Sequence, residues 1–429
     1  TIRGFAGSNR AGEVVVRGRD IRRVAYTKVS ANKVILIPRM CSGAIALGAA
    51  MQAFGVNAVV LPEQDERNIL YSNRVTSGKE CLPYRVTLGD FMKFFYENDK
   101  YGIDPKHVEG FLASAFGPCR FGKYAVEEIR ILRELGFDFT IRTTVSNNGY
   151  HDLSLGAGFE RLAWKGIVAV DYLEKLLWRT RPYEKSEGAA EEQFNEYLFR
   201  IADCVRRKED LTDVLRDATS GFKLLIDPDK PRRPLVGING EIFLRSNKFS
   251  NSNLAKECEK AGLEVVISPI GEWLKYITHR NIEDGVRDRD LKRIMAGYIR
   301  SFLLSRDEHS VVVNFEELID ASEPTTKDLL NKSKRYLSPK CGSEAVLSIG
   351  AGVEWLEDPR FDGVISVMPH GCMPGGIVAA ISEKFSEKYG KPWISLTYDG
   401  FLETNNQGKI NNFAEIIKFC SKDKKRSAR

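Results

Sequence analysis

Phe361-Asp362-Gly363-Val364-Ile365-Ser366-Val367-Met368-Pro369-His370-Gly371-Cys372-Met373-Pro374-Gly375-Gly376 is the stretch whose reading decides the fold. An apolar run from Gly363 to Met368 has the length of a buried strand, and Pro369 ends it. The glycines and prolines around Cys372 make a loop, and Ile377 to Tyr389 reads as the helix that follows. A thiol therefore stands at the carboxyl end of a strand and near a helix N-terminus. Open α/β sheets bind ligands at that edge, and the partial positive charge of a helix N-terminus favours a thiolate.

Three more cysteines occupy similar settings. Cys41 lies in Pro38-Arg39-Met40-Cys41-Ser42-Gly43, Cys81 in Ser77-Gly78-Lys79-Glu80-Cys81-Leu82-Pro83, and Cys119 in Gly117-Pro118-Cys119-Arg120-Phe121-Gly122. Around them the chain alternates strand and helix. Val34 to Pro38, Ala58 to Leu61, Gly110 to Phe116 and Phe139 to Val145 read as strands. Ser42 to Phe54, an amphipathic helix after Cys81, and Tyr124 to Leu135 lie between them. This order implies a parallel sheet covered on both faces.

Residues 154–226 turn helical and charged, with helical spacing over Phe159 to Leu177 and Glu191 to Arg207, and read as an insertion or bridge. After the polar break Asp227-Pro228-Asp229-Lys230-Pro231 a second α/β unit begins. Its strands are Leu235 to Asn239, Glu264 to Ser268, Gly363 to Met368 and Trp393 to Tyr398. Its helices are Ser252 to Ala261, Asp290 to Leu304 and Ala345 to Glu354. The division expected is an N-terminal arm (1–30), a first α/β lobe (31–153), the helical bridge (154–226), a second lobe (227–421) and a basic tail (422–429), with the two lobes facing each other across a cleft. Thr1 is not expected to be the natural start.

The chain has 429 residues, too many for one ordinary core, with 43% hydrophobic and 28% charged residues. Apolar runs fall well short of the ~20 residues that span a bilayer, and a signal-peptide pattern is absent from the first residues, so a cytoplasmic location is expected. A net charge of +6 without interleaved aromatic and basic residues gives no reason to expect a nucleic-acid partner. Eight cysteines without CxxC spacing point to neither a disulfide framework, a zinc ribbon nor a thioredoxin-type site. A Walker-type Gly-x-x-x-x-Gly-Lys-Ser/Thr loop is also missing.

The chemistry these loops suit is an iron–sulfur cluster. Its irons take thiolates, and tight glycine- and proline-containing loops let backbone N–H groups reach the sulfides. Arg39, Lys79, Arg85, Arg120 and Lys123 would offset the negative charge. Cys41, Cys81, Cys119 and Cys372 are the ligand candidates, with Cys341, in Ser338-Pro339-Lys340-Cys341-Gly342, as a fifth that either ligates a second metal unit or packs. Each thiol taken singly reads as structural, and it is four in the same kind of loop that point to metal binding; a zinc protein is the plain alternative. Cys204 and Cys258 lie in helical patterns and read as packing residues; Cys420 near the tail reads as incidental. His370 is readable as a proton donor or as loop filling, and Glu241, in Gly240-Glu241-Ile242, as an acid/base group or as a cap.

Lys79-Glu80-Cys81-Leu82-Pro83, Gly117-Pro118-Cys119-Arg120-Phe121-Gly122 and His370-Gly371-Cys372-Met373-Pro374-Gly375 together resemble the 2-hydroxyacyl-CoA dehydratase and benzoyl-CoA reductase superfamily. The likeness is nearest to its activase-associated and double-cubane-cluster branch. Gly240-Glu241-Ile242-Phe243-Leu244-Arg245 and Tyr398-Asp399-Gly400-Phe401-Leu402-Glu403-Thr404-Asn405 are similar to it as well, so the resemblance spans about residues 33 to 415. It implies a low-potential cluster between two Rossmann-like lobes and a partner that hydrolyses ATP and injects single electrons. By motif, Cys81, Cys119 and Cys372 would be ligands, with Cys41 a fourth. Members with a single 4Fe–4S cluster use three cysteines and leave one iron open. Four or five candidates suit an 8Fe–9S double cubane or a fully ligated 4Fe–4S cluster better. The expectation is a reductase acting on a small molecule; the alternative is a non-catalytic electron-transfer or scaffold subunit. A homodimer is compatible with either.

Overall fold

The computed structural model describes residues 33–114, 119–144, 155–320, 323–400 and 405–427. The expected N-terminal arm, with its strand character at Glu13 to Val16, lies outside them.

Two parallel four-stranded sheets organise the chain. The first joins β1 (Val34–Ile37), β2 (Ala58–Val60), β3 (Val108–Ala113) and β4 (Ile141–Thr144) in the order β2-β1-β3-β4. The second joins β5 (Leu235–Gly240), β6 (Glu264–Ile267), β7 (Phe361–Pro369) and β8 (Trp393–Tyr398) in the order β6-β5-β7-β8. Both repeat one topology, in which the strand first in sequence pairs with the second on one side and the third on the other. Strand β1, Val34-Ile35-Leu36-Ile37, is a continuous aliphatic run, as a strand covered on both faces requires.

In the first half, α1 (Gly43–Ala53), α2 (Glu66–Ser72), α3 (Leu82–Tyr96) and α4 (Tyr124–Glu134) connect the strands. The small residues of α1 let the sheet come close: a Cβ on Gly48 would stand 2.6 Å from Val60 Cγ2. Helix α2 opens with a capping box, Asp65 accepting from Arg67 N–H while Asn68 Oδ1 accepts from Asp65 N–H. The bridge is α5 (Gly156–Thr180), α6 (Ala189–Arg207) and α7 (Thr212–Leu225). Its longest member is buried along most of its length because α1 and α6 pack on it; a Cβ on Gly166 would meet Ala46 Cβ at 3.0 Å.

The second half carries α8 (Ile242–Ser246), α9 (Leu254–Lys260), α10 (Ile270–Asp288), α11 (Leu291–Val312), α12 (Thr326–Ser333), α13 (Ser343–Glu357), α14 (Met373–Tyr389) and α15 (Asn406–Ser427). The path from β6 to β7 thus runs through four helices. Sequence periodicity gives only Asp290 to Leu304 of the α10–α11 hairpin and misses α10 and α12, whose apolar residues are diluted by charge. The tail expected as a solvated end continues α15 through Ser427. Cys258 sits in the core and Cys204 is partly buried. Among the described residues no helix is long and apolar enough to cross a membrane.

Side chains tie the two halves together. Asn247 Nδ2 donates to Gln64 Oε1 at 3.0 Å, Gln64 Nε2 donates to Asp90 at 2.9 Å, and Arg85 donates to the Asp399 carbonyl at 2.7 Å. Within the second sheet a buried chain crosses three strands and reaches α13. Trp393 Nε1 donates to Ser366 Oγ (2.9 Å), Ser366 donates to Asn239 Oδ1 (2.5 Å), and Asn239 donates to the Ser348 carbonyl (3.0 Å). Ser366→Ala removes the hydroxyl that pairs both the Trp393 N–H and Asn239 Oδ1. A loss of about 1–3 kcal/mol is expected, read as a lower urea midpoint at unchanged slope.

Candidate functional site

In an open parallel sheet the loops on either side of the point where strand order reverses face a common crevice. In the first sheet these are the loops after β1 and β3, which carry Cys41 and Cys119; in the second, those after β5 and β7 carry Glu241 and Cys372.

Cys81, Cys119 and Cys372 each cap a helical segment. Cys81 precedes α3, Cys372 precedes α14, and Cys119 precedes the 3-10 turn Arg120–Lys123 that leads into α4. All three have extended backbone, with φ between −61° and −73°, and prolines at 83 and 374 fix the first turns of α3 and α14. The Cys119 thiol meets the N–H of Phe121, and the Cys372 thiol that of Gly375. Gly375 is needed there, since a Cβ would stand 2.5 Å from Met368 Cβ.

Arg120 draws the three loops together. Its guanidinium donates to the Lys79 carbonyl at 2.9 Å, two residues before Cys81, and to the Gly371 carbonyl at 3.5 Å, next to Cys372. Tyr124 is an electrostatic neighbour of the Cys81 sulfur and packs edge-on against Tyr84 and Phe121. The thiols are within electrostatic reach of each other, Cys119 of Cys81 and Cys372 of Cys119. Desolvation pushes the Cys119 thiol up to about 11 and that of Cys372 to about 12, with Glu241 and Glu344 adding to both.

Glu241 both caps and faces the thiols. Its carboxylate accepts from the Phe243 and Leu244 N–H groups at 3.2 and 2.9 Å. Gly240, at φ +113°, brings this turn against Val367, where a Cβ would lie 2.1 Å from the carbonyl oxygen. Glu344 accepts from the Ile242 N–H at 2.6 Å. Burial raises both carboxyls, and Glu241 raises Glu344 further, so the pair retains a proton above the ordinary carboxylate range. Glu241, Glu344, Ser366 and Cys372 line a cavity of about 10 Å³, the room of one water. Sequence reasoning missed Glu344 and Tyr124; the only signal for Glu344 was its place three residues after Cys341.

The remaining candidates sit elsewhere. Cys41 lies against α5, where burial, then Glu174 and Asp171, push its thiol up to about 12; Ser42 Oγ donates to Glu174 at 2.6 Å. Cys341 is exposed, closes a 3-10 turn before α13, and has Tyr276 as its electrostatic neighbour. His370 is exposed at the end of β7, its N–H donated to the Tyr398 carbonyl. A cavity of about 470 Å³ between α10, α11 and residues 323–327 contains no cysteine.

Among the described residues no three His, Cys, Asp or Glu side chains gather closely enough to hold one metal ion. A single zinc needs its donors within bonding distance of one point. A cluster interposes its own iron and sulfide between its thiolates and so takes them at a wider spacing than a single ion does. Compared with known proteins, the chain matches no protein-family model and no curated protein.

The raised thiols give a measurable reactivity in the metal-free chain. With its thiol near 11, Cys119 at pH 8 has a far smaller thiolate fraction than an ordinary cysteine, only partly offset by the greater nucleophilicity of a more basic thiolate. Alkylation of Cys119 by iodoacetamide is expected to be about tenfold slower than that of a free thiol and to rise about tenfold per pH unit from 8 to 10. Peptide mass spectrometry of the time course checks both; a rate already level at pH 8 contradicts them.

Proposed function

We propose that this chain is an iron–sulfur protein that receives low-potential electrons from an ATP-hydrolysing activator and reduces a small molecule, its cluster held by Cys81, Cys119 and Cys372 between two Rossmann-like lobes. The observation that carries this reading is the tying of three capping thiol loops by one guanidinium, that of Arg120. The cluster, when bound, supplies one-electron chemistry at low potential.

The protein's own groups have definite tasks in this reading. The helix N-termini behind the thiols and Arg120 offset the negative charge of thiolates. The Glu241–Glu344 pair holds a proton next to the thiols, available to a reduced substrate. A double cubane would need further ligands, and Cys41 lies against α5 with no second thiol among its electrostatic neighbours. Three thiolates and one open iron position therefore fit best, which favours a reductase over a fully ligated carrier. Free cysteines throughout the described residues suit a reducing cytoplasm.

Anaerobic reconstitution with iron and sulfide counting, absorption and EPR provides the test. The expected result is about four irons per chain, since three thiolates serve one 4Fe–4S unit. Loss is expected in Cys81→Ser, Cys119→Ser and Cys372→Ser but not in Cys41→Ser or Cys341→Ser. Arg120→Ala, which frees the loops without removing a ligand, should load less iron and lose it faster to a chelator. Eight irons that fall in Cys341→Ser would make the centre a double cubane. A colourless zinc-containing protein, or full iron in Cys119→Ser, would overturn the proposal.

A further inference from the structure

The cavity of about 470 Å³ between α10, α11 and the start of α12 has the size of a small-molecule site, commonly about 300–1,000 Å³. Helices α10 and α11 touch where a Cβ on Gly297 would come within 2.4 Å of Ile282, and Ile282 is also part of the cavity wall. One part of that wall is apolar, with Leu304, Val312 and the ring of Tyr172. The other part is imidazole and hydroxyl: His279 from α10, and Ser301, Ser305 and His309, which recur every fourth residue along one face of α11. Ser305 and His309 are exposed, so the cavity is reached from solvent.

The fixed charges around it are evenly matched. Both carboxylates of the wall are held by lysines: Glu308 accepts from Lys275 at 2.8 Å, and Glu323 is paired with Lys175. Next to the wall Glu283 pairs with Arg280 at 2.6 Å, and Asp328 accepts from the Thr325 N–H and hydroxyl in the capping box of α12. Lys327, at the rim, offsets Asp328. Four cations thus stand against four carboxylates, and the two imidazoles set the sign. His279 has Glu283 3.5 Å away on its own helix, and His309 has no ion pair among the described residues. The first N–H groups of α12, those of Thr326 and Lys327, have no acceptor within the helix and bring its positive end to the same space.

We infer that this cavity binds a small organic anion, an oxyanion head on an apolar body, with the head between His279, His309 and the start of α12 and the body against Leu304, Val312 and Tyr172. A cation would meet no free carboxylate, since Glu308 and Glu323 already hold lysines. A metal ion is not served either, because among the described residues His279, Glu308 and His309 do not gather closely enough to ligate one. Histidine changes charge near neutrality, and each proton taken up adds a positive charge to a balanced site. The anion is therefore held more tightly as the pH falls through neutrality.

Titration calorimetry on the full metal-free chain with benzenesulfonate tests this without involving the cluster, so its outcome is independent of the proposed chemistry. Benzenesulfonate keeps its charge across the neutral range, so any pH dependence belongs to the protein. A dissociation constant of about 1 mM or below is expected at pH 6, weakening about threefold or more by pH 8. Sulfate, the head without the body, and benzenesulfonamide, the body without the charge, should each bind about tenfold more weakly. His279→Ala/His309→Ala should weaken binding about tenfold at pH 6 and remove its pH dependence. Ser305→Trp, filling the cavity from its exposed rim, should abolish binding, and Lys384→Glu, on an exposed lysine of α14, should leave it unchanged. If one cavity variant loses the wild-type circular dichroism, the other decides. No binding up to about 10 mM, equal binding of sulfate or benzenesulfonamide, a pH-independent affinity, or binding that survives in a folded cavity variant overturns the assignment.

Discussion

The bridge made by the Arg120 guanidinium is the contact on which the candidate site depends. It ties the carbonyl of Lys79, in the loop before α3, to that of Gly371, after β7 in the other sheet, and its own backbone follows Cys119. Three thiols from segments almost 300 residues apart in sequence are thereby presented together. The bonds use backbone acceptors, so they fix the loops rather than any side chain. Arginine suits this task because its planar fork reaches two acceptors at once and stays charged at any physiological pH.

The same site carries a conflict that defines its chemistry. The N-termini of α3 and α14 and the guanidinium favour negative charge, whereas burial and the Glu241–Glu344 pair oppose it. With nothing bound, opposition wins at Cys119 and Cys372, whose thiols stay protonated well past neutrality. A cation between them would reverse that balance, since metal binding displaces thiol protons and attracts the neighbouring carboxylates. Asp171 and Glu174 around Cys41 oppose ionisation in the same way but without a second thiol among its electrostatic neighbours. Loops that look alike in sequence therefore differ in what they can bind.

How much of this was legible follows from the same contrast. The strands were readable because a parallel sheet covered on both faces demands continuous apolar runs; Trp393–Tyr398 falls at the residues its pattern gives, and β7 extends the expected Gly363 to Met368 by a few residues. The N-terminal placement of Cys81 and Cys372 was readable from the local prolines and glycines. The grouping of thiols was not. Cys41 shares the strand–loop–helix signature with Cys119, and only α5, some 130 residues later, puts Asp171 and Glu174 beside it. Glu344 was hidden for a like reason, since its partner, the N–H of Ile242, belongs to another loop. Only half of the α10–α11 hairpin was legible: Asp290 to Leu304 reads as a helix, whereas α10 escaped because charge dilutes its apolar residues.

The two sheets share one strand order, and this explains why the site lies where it does. In each, the loops flanking the central pair of strands open on the same edge: Cys41 and Cys119 in the first sheet, Glu241 and Cys372 in the second. The bonds of Asn247 to Gln64 and of Arg85 to the Asp399 carbonyl join the two halves, and Arg120 joins the Cys119 loop to that of Cys372. Cys81 enters from outside this scheme, since it follows α2 rather than a strand. Its position is set by α3, whose first turn starts at Leu82-Pro83 and whose Arg85 reaches across to Asp399. Two thiols thus come from the topology common to both sheets, and the third comes from a helix aimed at them. Any ligand spanning all three must touch both halves of the chain, so binding there also clamps one half to the other.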